Sequence, residues 1–157
     1  YTLLIVLVVG TVVGRIWKVE SKSVGPNKSK TPFLSANDRS RWCTVRALVN
    51  DGTYVIDKMT HGKDPNWKTI DQVKHRGPDG REHFYSSKPP LLPTLLAGEY
   101  WVIRQLTGAD IVQFPFYVGR IMLLVTNVLP LLLYFVVLAR LIEQRGKTDW
   151  GSQAKSR

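Results

Sequence analysis

Residues 117–142 read YVGRIMLLVTNVLPLLLYFVVLARLI, and the fold turns on what that run can be. It carries two charges, Arg120 near one end and Arg140 near the other. As a helix it would rise about 39 Å, against a hydrocarbon core about 30 Å thick. Arginines placed so far apart suit the two interfaces of a bilayer, and Pro130 between them predicts a kink. The expectation is a transmembrane helix over 117–142, followed by a polar, charged tail over 143–157.

Working outward, residues 91–107 (LLPTLLAGEYWVIRQLT) form a second apolar segment. A helix of this length rises about 26 Å, barely enough to span. Leu92, Leu95, Leu96, Val102, Ile103 and Leu106 fall on one stripe, with Glu99 inside it and Arg104 pointing away. Residues 88–107 are therefore either a short membrane span or an amphipathic helix at the interface. Glu99 would then face a cavity or partner inside a span, or sit at the interface bonded to a neighbouring helix. At the other end, residues 1–13 carry no charge before Arg15. That is short of the roughly 20 residues a span requires, so 1–16 reads as a truncated transmembrane helix and the chain as part of a longer membrane protein. Arg15, Trp17 and Lys18 form the interfacial flank. The fold class expected is mainly α and integral to the membrane: two to three transmembrane helices, with a small α+β extracytoplasmic loop between the first and second.

That loop covers residues 17–87. Residues 20–32 (ESKSVGPNKSKTP) have a linker composition. Ser35 and Asp38 stand at capping-box spacing, ahead of Trp42, Val45, Leu48 and Val49 at helical intervals. A helix over 36–49 follows, stopped by Asn50-Asp51-Gly52. Residues 53–57 read as a short strand or extended segment. Gly77-Pro78-Asp79-Gly80 is a turn signal between two arms, so a hairpin is expected at about 69–86.

The formal charge is +10, but the basic residues are scattered around apolar segments, which suits membrane flanks better than nucleic acid. One cysteine, Cys43, excludes an internal disulfide and a cysteine-rich metal site. There is no glycine-rich phosphate loop and no nucleophile elbow. His61, His75 and His83 lack metal-ligand spacing, with His83 of interest for its nearness in sequence to Lys88. What stands out is 85–92, YSSKPPLL. Two prolines suit the first turn of a helix, and Lys88 precedes that helix start, where an anion is favoured. A lipid phosphate is the anion a membrane surface offers; an ordinary interfacial lysine is the plainer alternative. Asp38, at the head of its own helix, is the carboxylate that could act as a general base beside such a cation, or be a cap and nothing more.

The order of these motifs resembles a family. Asn37-Asp38-Arg39-Ser40-Arg41-Trp42 opens a helix after the first span, Asp51-Gly52-Thr53-Tyr54-Val55-Ile56-Asp57 follows, and a hairpin leads into His83-Phe84-Tyr85-Ser86-Ser87-Lys88-Pro89-Pro90. This is similar to the N-terminal region of GT-C membrane glycosyltransferases of the protein-mannosyltransferase and aminoarabinose-transferase type, over roughly residues 3–134. The resemblance implies a polyprenyl-phosphate-linked sugar as donor, with Asp38 as the essential acid of the first extracytoplasmic loop. Lys88 becomes the lysine of the donor phosphate, and Arg41 a second ligand for that phosphate. Arg39 stands where the family has a second acid, and Ser87 where it has a glutamate. A divalent metal is left open as cofactor, with no ligand set visible in the sequence. The acceptor is not specified, and the location implied is the cell (inner) membrane, multi-pass, with 17–87 outside. Three spans would also put the tail after 142 outside, whereas its Arg145, Lys147, Lys155 and Arg157 favour the inside, as two spans would give. The alternative function is a non-catalytic membrane-anchored protein whose loop binds a partner.

Overall fold

The computed structural model describes residues 2–19, 32–33, 35–62 and 64–154, with side chains at 65 and 146–154 excepted. The linker expected at 20–32 lies outside the described residues but for Pro32. The chain divides into two compact units, residues 1–18 with 123–157 and residues 19–122.

The elements in order are helix α1 (Thr2–Trp17), α2 (Ala36–Asp51), a short α3 (Asp57–Thr60), a 3-10 turn at Pro65–Trp67, strands β1 (Gln72–Arg76) and β2 (Glu82–Ser86), α4 (Leu91–Thr107) and α5 (Pro115–Ala154). The first unit holds α1 and the distal part of α5, and most of their leucines and valines are exposed. Among the described residues, one helical stretch, Pro115–Arg145 in α5, is long and apolar enough to cross a membrane, and Thr2–Trp17 is a shorter apolar helix. Proline at the first position of α5 loses no bond, since that N–H has no intrahelical acceptor. The helix does not stop at 142. It continues to Ala154, because Glu143, Gln144, Arg145 and Lys147 are good helix formers and no proline interrupts them. The polar tail expected over 143–157 is thus helical through 154.

The second unit has its own core. Its helix α2 starts on Ser35, whose Oγ accepts the Asp38 N–H at 3.1 Å and donates to Asp38 Oδ2 at 2.7 Å. It ends on Gly52 at φ 65°, the left-handed conformation glycine adopts without steric cost. The residues α2 buries are mostly small (Ser40, Cys43, Thr44, Val45, Ala47), while Trp42, Leu48 and Val49 are only partly covered. Small side chains allow neighbouring backbones to approach, and α2 and α4 pack along each other. The contacting face of α4 is Pro93, Ala97, Tyr100 and Ile103. The stripe expected from the sequence is therefore largely the outer face: Leu92, Leu95, Val102 and Leu106 are exposed, and of that stripe Ile103 is buried. Helix α2, against which α4 lies, is rich in polar residues. Arg104 ties the pair, with Nη1 donating to Asn50 Oδ1 at 2.6 Å. Tyr100 is fully buried, its hydroxyl accepting the Ile111 N–H at 3.0 Å.

The hairpin is antiparallel, pairing Gln72 with Ser86 through Arg76 with Glu82. Its first arm begins at 72, later than expected, because Thr69 is pulled toward α2: its Oγ1 donates to Ala36 O at 2.8 Å and accepts the Asp71 N–H at 3.1 Å. Of the short strand or extended segment expected at 53–57, no strand forms. After Gly52 the chain bends and enters α3, and one ladder-like bond remains, Ile56 N–H to Phe84 O at 2.9 Å. Asp57 opens α3, and its carboxylate accepts the Phe84 N–H.

Candidate functional site

Hairpin register builds the site. With Gln72 opposite Ser86, the next residues outward are Asp71 and Ser87, and Ser87 Oγ donates to Asp71 Oδ1. Lys88 Nζ then lies 3.1 Å from Asp71 Oδ2. The cleft is fixed to α2 by Ser40, whose hydroxyl donates to Asp71 O at 2.6 Å and lies 2.7 Å from Ser86 Oγ. Ser86 Oγ in turn accepts the Lys88 N–H at 3.2 Å, which holds the chain in place as it turns into α4.

Asp38 and Arg41 belong to the same neighbourhood. Arg41 Nη1 stands 3.8 Å from Asp38 Oδ1, one turn along α2. Asp71 feels both cations. Its carboxyl is held below the usual carboxylate range, first by the Ser87 hydrogen bond, then by Lys88 and, at longer range, Arg41. The result is a chain of alternating charge, Asp38, Arg41, Asp71, Lys88, drawn from α2, the edge of β1 and the entrance to α4. Beside it lies a cavity of about 360 Å³ whose lining includes Thr44, Tyr54, His75, Tyr85, Lys88 and Pro90. Tyr54 is braced by Thr94, their hydroxyls 2.8 Å apart.

Of the residues singled out in the sequence, the fold thus brings Asp38, Arg41 and Lys88 into one cluster. His83 is turned to other partners: its Nδ1 lies 2.6 Å from Asp57 Oδ2, and its Nε2 faces Asp79. Glu99 sits half-buried on α4, between the core-facing Ala97 and Tyr100. Among the described residues, no three His, Cys, Asp or Glu side chains converge to hold a metal ion. Cys43 is buried, donates to Trp67 O at 3.1 Å and has its thiol pushed up to about 12 by burial, so it is not a nucleophile at neutral pH.

Sequence reading missed Asp71. Counting back from the Gly77–Gly80 turn pairs 71 with 86; the observed register, with Arg76 opposite Glu82, is one residue longer and sets 71 against 87, next to Lys88.

A scan against family models, a search of curated proteins and a search of solved structures each return no match to this chain.

Proposed function

We propose that the 19–122 unit holds the phosphate of a polyprenyl-phosphate-linked sugar at Lys88, and that the sugar passes to an acceptor hydroxyl activated by Asp38. The observation that carries this reading is the position of Lys88 at the head of an exposed apolar stripe. Leu91, Leu95, Val102 and Leu106 recur at helical spacing along α4 from that lysine, all exposed. An anionic amphiphile fits such a surface: its head meets the ammonium, and its isoprenoid tail covers the leucines, each buried CH₂ contributing about 0.8 kcal/mol. Arg41 is the second cation near the same anion, in exchange for Asp71. In transfer, the acceptor oxygen bonds to the anomeric carbon and gives its proton to Asp38. The bond from that carbon to the phosphate oxygen breaks, and the leaving phosphate keeps the electron pair, stabilised by Lys88. The setting proposed is the cell (inner) membrane, with 17–87 on its outer side.

One observation favours a second reading. Lys88 is already neutralised by Asp71, as an anchor in a partner-binding loop would be. A photoreactive farnesyl phosphate presented to the chain in membranes separates the two. Under the donor reading, Lys88→Ala lowers labelling about 10- to 100-fold, the worth of a charge-assisted hydrogen bond. Lys88→Arg keeps part of it, Asp38→Asn keeps nearly all, and neither inorganic phosphate nor farnesol competes well alone. Labelling of Lys88→Ala at the wild-type level would refute the donor reading and leave the anchor.

A further inference from the structure

A second charged cluster in the 19–122 unit is organised around one imidazole. His83 Nδ1 lies 2.6 Å from Asp57 Oδ2 at the start of α3, and Nε2 lies 3.0 and 2.9 Å from the two carboxylate oxygens of Asp79 in the hairpin turn. Both ring nitrogens therefore face carboxylates. We infer that His83 is a protonation-controlled latch that closes the 77–81 turn of the hairpin, whose second strand leads into Lys88. This inference is independent of the donor reading.

The chemistry is set by the number of donors. An imidazolium has two N–H groups and satisfies both carboxylates; a neutral imidazole has one N–H and one lone pair. On losing its proton, His83 must present a lone pair to one of the two aspartates. Asp57 is the better held, since its Oδ1 also accepts the Phe84 N–H at 2.6 Å and it is the less exposed, 31% against 46% for Asp79. The remaining N–H stays with Asp57, and Asp79 is released to the Arg81 N–H alone, at 3.1 Å from Oδ1. The turn is built for the closed state. A Cβ on Gly77 would come within 2.7 Å of the His83 ring and 2.9 Å of Asp79 Oδ1, so only glycine fits beneath the latch.

The charges around the ring come from every packed element. Helix α3 contributes Asp57, while its Lys58 is paired to Asp51. The turn contributes Asp79 and Arg81, and β1 places His75 directly opposite. His61 packs on the neighbouring Phe84 ring. The two aspartates dominate: Asp57 first and Asp79 second raise the affinity of His83 for its proton above the ordinary histidine value. The same contact, with the Arg81 N–H, holds Asp79 below the usual carboxylate range. A raised histidine stabilises the closed form below its unfolded value and loses that contribution as pH rises through the folded one. A lowered aspartate contributes above its unfolded value and loses it as pH falls through the folded one. The latch is closed between Asp79's lowered value and His83's raised one, and opens on the alkaline side.

The test uses the whole chain in detergent micelles, following ¹⁵N-histidine shifts and amide exchange across pH. The Gly77 and Gly80 N–H groups, bonded to Arg81 O and Gly77 O at 2.8 and 3.0 Å, report the turn; Phe84 reports the strand root. Beyond the ordinary rise of exchange with pH, the turn amides should lose about ten-fold protection over the His83 titration while Phe84 keeps its own. Asp79→Asn should lower the His83 midpoint, and Asp79→Ala, which removes the acceptor, should leave the turn open at every pH. Gly77→Ala should open the turn without changing any titratable group. Turn protection that ignores the His83 titration, or an unmoved midpoint in Asp79→Asn, overturns the latch.

Discussion

The contact most open to quantitative test is Asp71 with Lys88. Asp71→Asn keeps an oxygen for the Ser87 hydroxyl but removes the charge facing Lys88; Lys88→Met keeps the apolar stem and removes the ammonium. Exposed ion pairs contribute about 0.2–1 kcal/mol, while breaking a fully buried one costs about 3–5 kcal/mol. The two side chains retain 24% exposure at Lys88 and 17% at Asp71, so the pair lies between these limits, nearer the first. Each single substitution should cost about 1–2 kcal/mol, and the double variant no more than the worse single, giving a coupling of about 1 kcal/mol. For a unit of this size that is a shift of about 4–8 °C per kcal/mol. Thermal unfolding in detergent at pH 7, read by circular dichroism for all four proteins, closes the cycle. Because Asp71's folded carboxyl is held below its usual range, the coupling is present above the unfolded value of about 3.9 and fades as pH falls through the folded one. Additivity at pH 7 to within about 0.3 kcal/mol would show that the two charges do not act on each other, and the site as described would fall with it.

Other outcomes follow from single positions. Asp38→Asn should hold the stability of α2 within a few tenths of a kcal/mol, whereas Ser35→Ala, which removes the cap oxygen, should cost about 1 kcal/mol in the same melt. Cys43 should resist alkylation at neutral pH in the folded chain and react only on unfolding; modification at the rate of a free thiol would contradict its burial and raised pKa. Gly108→Ala should cost about 1 kcal/mol, since φ is 68° there and a Cβ is strained whatever space surrounds it. On a Cys43→Ser background, cysteines placed at 25 and 150 count the spans: three spans, α4 among them, label from outside at both positions, and label at 25 only leaves two.

What the sequence determined by itself is what depends on near neighbours along the chain. Apolar length marked α5 as the helix able to cross a membrane, because the length needed is a property of the run alone. Ser35 and Gly52 fixed the ends of α2, Gly108 the end of α4, and the 77–80 turn the hairpin, since caps and turns are satisfied within a few residues. Tertiary structure decided the rest. Spacing showed a stripe of leucines on α4, but not that α2, lined with Ser40, Thr44 and Ala47, would take the opposite side; periodicity finds a face but not what covers it. Residues 53–57 have strand composition, yet Asp57 meets β2 through its carboxylate, which accepts the Phe84 N–H, and not through a backbone ladder. The site followed the same division. Asp38, Arg41 and Lys88 were visible as residue types at helix starts, but their common neighbourhood depends on Asp71, which reaches Lys88 only across the hairpin. Charge acts through space, and the separation of 71 from 88 along the chain is erased by a register that the fold alone completes.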